Sequence, residues 1–164
     1  MEKKTALFGF LLALSLILSY IESILPFSVG IPGIKLGLPN LVVILLLYTY
    51  SAKEAFIVNL LRILLSGFLF GNLYSILYAL AGALCSFCLM LFLRKAKWFS
   101  IAGVSIGGGV FHNIGQILVA VFVVDTFAPA FYLPFLIIAG AVTGFLIGVV
   151  ALRILPYIQK WKGL

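Results

Sequence analysis

Polar side chains that can bind a ligand recur at helical spacing inside the apolar runs of this sequence. The candidates within these runs are Glu22, Asn59, Arg62, His112, Asn113 and Gln116. Asn59 and Arg62 are three residues apart, so both side chains lie on one face of a helix. The same holds for His112 and Gln116, which are four apart. Inside a membrane such side chains are costly, and each one is therefore a candidate for function.

The charges of this set indicate the chemistry of its ligand. Arg62 and Lys35 outnumber Glu22, and a guanidinium group is well suited to a phosphate or a carboxylate. Asn40 lies in the same loop as Lys35 and adds a polar amide. The set therefore predicts a substrate-binding site for a small anionic or amphipathic molecule, in the outer half of the membrane beneath residues 26–40.

A structural role is the alternative for several of these residues. Glu22 and Arg62 are predicted to pair with each other, and such a pair can be structural without binding any ligand. A single histidine among apolar residues, such as His112, is commonly a hydrogen-bonded core residue. The gathering of the whole set beneath one glycine- and proline-rich loop favours a binding site.

Catalytic and metal-binding patterns are absent from the sequence. Prenyl transfer needs clustered aspartates to hold magnesium on a diphosphate, and this chain has four acidic residues in all, none of them paired. There is no lysine-bearing phosphate loop for ATP. Cys85 and Cys88 form one isolated C-x-x-C in an apolar run, which is too few ligands for a typical metal site. We therefore predict no enzymatic activity, no metal and no cofactor.

The composition predicts an integral membrane protein. Hydrophobic residues make up 65% of the 164 residues and charged residues 9%, whereas a soluble domain has about a quarter charged residues. The length allows about six helical spans joined by short connections. We predict an all-α, six-transmembrane-helix bundle that forms a single domain over residues 1–164. The predicted spans are residues 5–25, 39–50, 55–70, 73–93, 99–124 and 130–155.

The connection between the first two spans, residues 26–40, is the main break in this pattern. It contains three prolines, three glycines and the cation Lys35, a composition that rules out one continuous helix. Bare lipid cannot satisfy such a backbone, so we predict a folded loop over one mouth of the bundle. Pro39 suits the first turn of the second span and Asn40 its cap, while Pro156 is expected to break the last span.

The basic residues predict the orientation in the membrane. With a cytoplasmic amino terminus, eight of them fall in cytoplasmic segments, namely Lys3, Lys4, Lys53, Arg94, Lys95, Lys97, Lys160 and Lys162. The outward segments then contain only Lys35. The positive-inside rule places both termini in the cytoplasm and the loop outside. The net charge of +7 thus reflects topology, and no basic stripe indicates nucleic-acid binding.

Small residues four positions apart predict close helix packing. The stripes are Gly9 with Ala13, Ala79 with Ala83, Gly103 with Gly107, and Gly140 with Gly144 and Gly148. In lipid, such faces let helix backbones approach each other closely. Packing inside the bundle is the first interpretation, and docking of a second membrane protein is the other. Gly9 and Ala13 are the best candidates for docking.

Several motifs together resemble one bacterial membrane family. They are Glu22, the run PGIKLGLPN at residues 32–40, Arg62, the run GVSIGG at 103–108 and the run HNIGQ at 112–116. The family is known as the Gx transporter family and also as heptaprenyl diphosphate synthase component I, and the resemblance covers almost the whole chain. The family is similar in turn to the substrate-binding S components of energy-coupling-factor (ECF) transporters. Those are six-helix proteins with cytoplasmic termini and an outer loop over the ligand site.

The resemblance implies two alternative functions in the bacterial cytoplasmic membrane. As an S-component-like subunit, the protein captures a ligand from outside, and an ATP-driven partner module supplies the energy. Alternatively, it is an accessory subunit in prenyl diphosphate and menaquinone synthesis, or in flavin- and quinone-linked electron export. The expected partners are the lipid bilayer, a small-molecule ligand and either a transporter module or a prenyl synthase or redox protein.

Overall fold

The computed structural model describes residues 2–25 and 35–162, and every regular element in these ranges is helical. The α-helices are α1 (Glu2–Ile24), α2 (Asn40–Thr49), α3 (Ala52–Phe70), α4 (Leu73–Ala96), α5 (Ile101–Val124) and α6 (Leu133–Lys162). A short 3₁₀ helix, Ala128–Tyr132, leads into α6. The predicted all-α fold is therefore confirmed, and each predicted span overlaps one helix.

Among the residues that the structure describes, four helical segments are long and apolar enough to cross a membrane. They are Thr5–Ile24, Leu73–Ala96, Ile101–Val124 and Ala128–Lys160. The helix α2 is apolar but has only ten residues, and α3 contains the charged residues Lys53, Glu54 and Arg62. The chain therefore has the helices of a multi-pass membrane bundle. Six complete spans and cytoplasmic termini stay predictions.

Reciprocal hydrogen bonds explain where α3 and α4 begin. The Ser51 hydroxyl accepts from the Glu54 N–H at 3.3 Å, and the Glu54 carboxylate accepts from the Ser51 N–H at 2.9 Å. Asn72 and Ser75 form the same type of pair at the start of α4. Each capping box satisfies backbone donors that the first helical turn leaves open. These caps allow sharp turns before α3 and α4.

The capping of α2 differs from the prediction, whereas its first residue, Asn40, lies at the predicted start of the span. Pro39, and not Asn40, is at the N-cap position, and no side chain caps the helix. The Asn40 N–H donates to the Gly37 carbonyl oxygen at 2.9 Å, and the Leu41 N–H donates to the Leu38 oxygen at 3.1 Å. Because this backbone turn already satisfies those donors, the Asn40 side chain is not needed as a cap.

The last helix also differs from its predicted bounds. Residues 130–132 belong to the 3₁₀ helix, and α6 begins at Leu133. Pro156 lies inside α6, which continues to Lys162, so the predicted break at Pro156 is wrong. A proline removes one backbone hydrogen bond and crowds the preceding turn. Membrane helices tolerate this where other groups or small backbone adjustments satisfy the freed carbonyl.

The interface between α5 and α6 depends on the glycine stripe of α6. A Cβ added to Gly144 would lie 2.6 Å from the Ser105 carbonyl oxygen, and one added to Gly148 would lie 2.6 Å from the Ala102 Cα. Separations this short show that the two backbones are nearly in contact. The α6 stripe therefore serves packing inside the bundle.

The short helix α2 lies in the centre of the bundle, where it contacts α1, α3 and α6. All six side chains from Val42 to Leu47 are buried. Ten residues at ~1.5 Å each give about 15 Å, roughly half of the ~30 Å hydrocarbon thickness. A helix of this length fills only part of the bundle axis and leaves room for a cavity beyond its first residue.

Candidate ligand-binding cavity

A cavity of about 580 Å³ lies between α1, α3, α5 and the start of α2. Seven of the eight predicted substrate-binding residues line it, namely Glu22, Lys35, Asn40, Arg62, His112, Asn113 and Gln116. Residues far apart in the sequence thus meet at one site. The volume is typical of pockets that hold a small-molecule ligand.

Arg62 is the most deeply placed charge in the cavity wall. Only 9% of the residue is exposed, and its Nη2 donates to the Asn59 Oδ1 at 2.6 Å. Its Nε is buried and has no hydrogen-bond partner within residues 2–25 and 35–162. A buried guanidinium N–H without an acceptor is unfavourable, and a guanidinium is well suited to an anionic partner.

Asn59 is the predicted site residue that does not line the cavity. It is 4% exposed, and it lies one helical turn from Arg62 on α3, where its amide oxygen accepts from the guanidinium. Asn59 therefore contacts the side chain that faces the cavity rather than the cavity itself.

Glu22 holds the end of the loop to α1. Its carboxylate accepts a hydrogen bond from the Gly37 N–H, and Gly37 has a φ of +72°, a left-handed conformation that favours glycine. No direct ion pair joins Glu22 to Arg62 in the part of the chain that the structure describes. The predicted Glu22–Arg62 pair is therefore not observed as a contact, although Arg62 and Lys35 both lie within electrostatic reach of the carboxylate.

The polar residues of α5 connect three helices around the cavity. The Asn113 Nδ2 donates to the Leu136 carbonyl oxygen of α6 at 2.6 Å, and the Gln116 Nε2 donates to the Asn113 Oδ1 at 3.3 Å. A Cβ added to Gly82 of α4 would lie 2.9 Å from the His112 Nδ1. His112 is thus packed against α4, while Asn113 and Gln116 form a polar wall fixed to α6.

The loop is described only in part. Residues 26–34, which make up most of the predicted loop, lie outside the described ranges. Residues 35–39 form the turn that enters α2, and Lys35 is exposed at the edge of the cavity. The predicted cover over the site therefore stays a prediction for residues 26–34.

Several serines in the cavity wall were missed by sequence reasoning. Ser19 is three residues before Glu22 on α1, and Ser66 is four residues after Arg62 on α3. Their helical spacing from predicted site residues was a usable signal. Ser86 and Ser105, both buried, line a second chamber of about 20 Å³ next to the main cavity, which is room for one water molecule.

Residues 11–154 match the family described as heptaprenyl diphosphate synthase component I. The chain belongs to this family. The matched range contains every cavity-lining residue. No curated protein and no solved structure matches the chain, so the likeness to ECF S components stays a prediction.

The description of the heptaprenyl diphosphate synthase component I family names a component of a synthase, which implies a partner component. Within the described residues, no group of three or more histidine, cysteine, aspartate or glutamate side chains is placed to hold a metal ion. Arg62 and Lys35 line the cavity, and cationic side chains of this kind suit an anionic group.

Proposed function

We propose that this member of the heptaprenyl diphosphate synthase component I family is a non-catalytic binding subunit of the bacterial cytoplasmic membrane. It captures a small anionic or amphipathic ligand from the outer side, beneath residues 26–40. Arg62 and Lys35 bind the anionic group, while His112, Asn113 and Gln116 orient the remainder of the ligand. An ATP-driven partner module supplies the energy for transport.

One observation carries this proposal: Arg62 lines the cavity, and its buried Nε has no acceptor among the described residues. Polar atoms buried in a protein nearly always have a hydrogen-bond partner. In a membrane bundle, where water is scarce, a bound anion is the partner that best matches a guanidinium.

Docking of the energising module is assigned to α1. Gly9 and Ala13 are exposed, and no atom of another element lies within 4 Å of a Cβ placed on Gly9. In the described structure these two residues are therefore not used for packing inside the bundle. An exposed small-residue face lets a partner helix approach closely in lipid.

The family description names a component of heptaprenyl diphosphate synthase and so favours a second candidate function, that of an accessory subunit in prenyl diphosphate synthesis. We include menaquinone synthesis in this alternative. A role in flavin- or quinone-linked electron export belongs to the same alternative. In these cases the cavity holds a lipid precursor or a redox molecule for a partner enzyme, and no ATPase is involved.

Native mass spectrometry and copurification test the two candidates together. We expect the wild-type protein, purified in mild detergent, to retain a small anionic molecule that Arg62→Gln loses. An ATPase-bearing module that copurifies with the wild type, and is lost with Gly9→Leu, supports the transporter role. Copurification of a prenyl synthase or a flavoprotein instead supports the alternative. Retention of the same molecule by Arg62→Gln contradicts the binding site.

A further inference from the structure

The cavity carries a small and countable formal charge. Among its lining residues, Lys35 and Arg62 are cationic, Glu22 is anionic and His112 is neutral in the usual reckoning at pH 7. Two positive charges and one negative charge give a net formal charge of +1. The loop does not alter this count, because residues 26–34 contain no aspartate, glutamate, lysine, arginine or histidine.

Charge in the buried part of this cavity is unfavourable unless it is offset, whereas Lys35 is exposed at the cavity edge. An uncompensated charge inside a membrane is costly, and a buried charge is retained when a partner and hydrogen bonds offset its desolvation. A single negative charge on the ligand leaves the occupied cavity neutral. A phosphate monoester carries about −1.5 to −2 at pH 7, and a diphosphate ester carries more, which would leave an excess negative charge in the bundle.

The negative charge of Glu22 is part of the formal charge of the cavity. Its carboxylate accepts from the Gly37 N–H at the turn that begins α2, and a carboxylate at the start of a helix is favoured by the helix dipole. The Glu22 carboxylate is therefore held in the cavity wall, where it would repel a second negative charge on the ligand.

The cavity volume sets the second limit. A volume of about 580 Å³ corresponds to roughly 20 water molecules at ~30 Å³ each. A heptaprenyl chain consists of seven five-carbon units. It therefore has more carbon atoms than the cavity has room for water molecules. The cavity can hold a small molecule, whereas a heptaprenyl chain would have to extend beyond the cavity.

We propose that the ligand is a small amphipathic monocarboxylate, whose single negative charge is bound between Arg62 and Lys35, and not a prenyl diphosphate. This inference rests on the proposed binding function and names its ligand class. The carboxylate is bound by the guanidinium of Arg62, whose Nη2 also donates to the Asn59 Oδ1. Phe70, Ile24 and Leu36, which also line the cavity, contact the apolar part of the ligand.

A matched pair of probes tests the charge. Geranoate and geranyl diphosphate have related ten-carbon apolar chains and differ in the charge of the head group. Isothermal titration calorimetry or a thermal-shift assay on protein in phosphatidylcholine nanodiscs gives the affinity for each probe. We expect geranoate to bind at least about tenfold more tightly than geranyl diphosphate, and Arg62→Gln to abolish geranoate binding. Heptaprenyl diphosphate should bind more weakly than either.

Glu22→Gln supplies the decisive variant. The amide oxygen of glutamine can still accept from the Gly37 N–H, while the formal charge of the cavity rises by one. We expect the preference for geranoate over geranyl diphosphate to fall by on the order of tenfold, because one like-charge repulsion has been removed. The Lys53→Gln control, which removes a charge at the start of α3 away from the cavity lining, should leave the preference unaltered.

The outcomes separate this inference from the proposed function. Arg62-dependent binding of geranyl or heptaprenyl diphosphate that is tighter than that of geranoate overturns the monocarboxylate and keeps the anion-binding subunit. An unchanged preference in Glu22→Gln overturns the charge balance. If neither probe binds, and native mass spectrometry finds no Arg62-dependent molecule, both the inference and the proposed function fail.

Discussion

Arg62 and Asn59 form a unit in which only one member faces the ligand site. The amide oxygen of Asn59 accepts from the Arg62 Nη2 at 2.6 Å, and a hydrogen bond to a charged donor contributes about 1.5–3 kcal/mol. Because Arg is long and has many rotamers, this contact restricts the guanidinium before any ligand arrives. Asn59 is therefore a positioning residue for the predicted anion site.

Removing the acceptor on Asn59 tests this role. We expect Asn59→Leu to weaken binding of the retained ligand by about tenfold or more, as the loss of one charge-assisted hydrogen bond implies. Titration calorimetry gives the affinity, and thermal unfolding in detergent gives the stability.

Ser66→Ala is the matched control for Asn59→Leu. Ser66 lines the cavity on the same helix, but its hydroxyl donates to the Ile63 carbonyl oxygen of its own turn, so its removal should change affinity little. Equal losses of affinity in the two variants would contradict the positioning role of Asn59.

At the scale of the elements, the link between α1 and the loop depends on a single glycine. Gly37 has a φ of +72°, and its N–H donates to Glu22. Residues with a Cβ lose about 1–2 kcal/mol in this conformation, whereas asparagine visits it more readily. The turn that enters α2 therefore requires glycine because of the left-handed backbone conformation. Lack of space for a side chain is not the reason.

Gly37→Val should strain this turn and weaken ligand retention by about tenfold, while circular dichroism shows the helices intact. Gly37→Asn is the control, and it should keep most of the affinity. Native mass spectrometry measures the fraction of protein that retains the ligand. Full retention in the valine variant would mean that the loop only connects α1 to α2.

The contact of α5 with α6 is the second element that depends on glycine. A Cβ on Gly144 would lie 2.6 Å from a backbone oxygen, whereas the nearest atom to a Cβ on Gly103 is 3.5 Å away, on Phe99. A Cβ added at Gly144 would therefore force the helices apart, whereas one added at Gly103 would make an ordinary van der Waals contact.

Gly144→Ala is accordingly expected to lower the free energy of unfolding by about 1–3 kcal/mol. Gly103→Ala, on the partner helix of the same interface, should be neutral or slightly stabilising because alanine is the better helix former. Denaturant titration in detergent micelles measures both values. A loss of stability in Gly103→Ala as large as that in Gly144→Ala would contradict this packing.

At the scale of the whole molecule, the asymmetry of the basic residues predicts the orientation. In a background of Cys85→Ala and Cys88→Ala, a membrane-impermeant maleimide should label Lys35→Cys in intact cells. Ala96→Cys, at the end of α4, should react only after permeabilisation, because the positive-inside rule places it in the cytoplasm. Labelling of position 96 from outside would overturn the six-span topology.

The bundle as a whole creates the cavity by pairing long helices with a short central one. The buried side chains from Val42 to Leu47 of α2 fill the axis of the bundle. Asn40, the first residue of α2, lines the cavity. Arg62, His112 and Gln116 come from two other helices at matching depth. The site is therefore a property of helix lengths as much as of its polar residues.

The sequence by itself determined the membrane class, the helical fold and most of the helix bounds. These features follow from short-range patterns: long apolar runs and the polar breaks between them. The sequence also identified the polar candidate residues, because a charged or polar residue within an apolar run is evident without knowing how the helices pack. The roles of Asn40 and Pro156 were predicted wrongly, since a local backbone turn makes the Asn40 cap unnecessary and a membrane helix tolerates Pro156.

Only the tertiary structure decided what each polar residue contacts. Glu22 was expected to pair with Arg62, but its observed hydrogen bond is to the Gly37 N–H, 15 residues further along the chain. Asn59 was expected in the wall and lies behind Arg62, bonded to its guanidinium. Spacing along a helix shows which side chains share a face, whereas the rotation and depth of each helix in the bundle decide what that face meets. Those two quantities depend on packing between residues distant in sequence, such as Gly144 against Ser105.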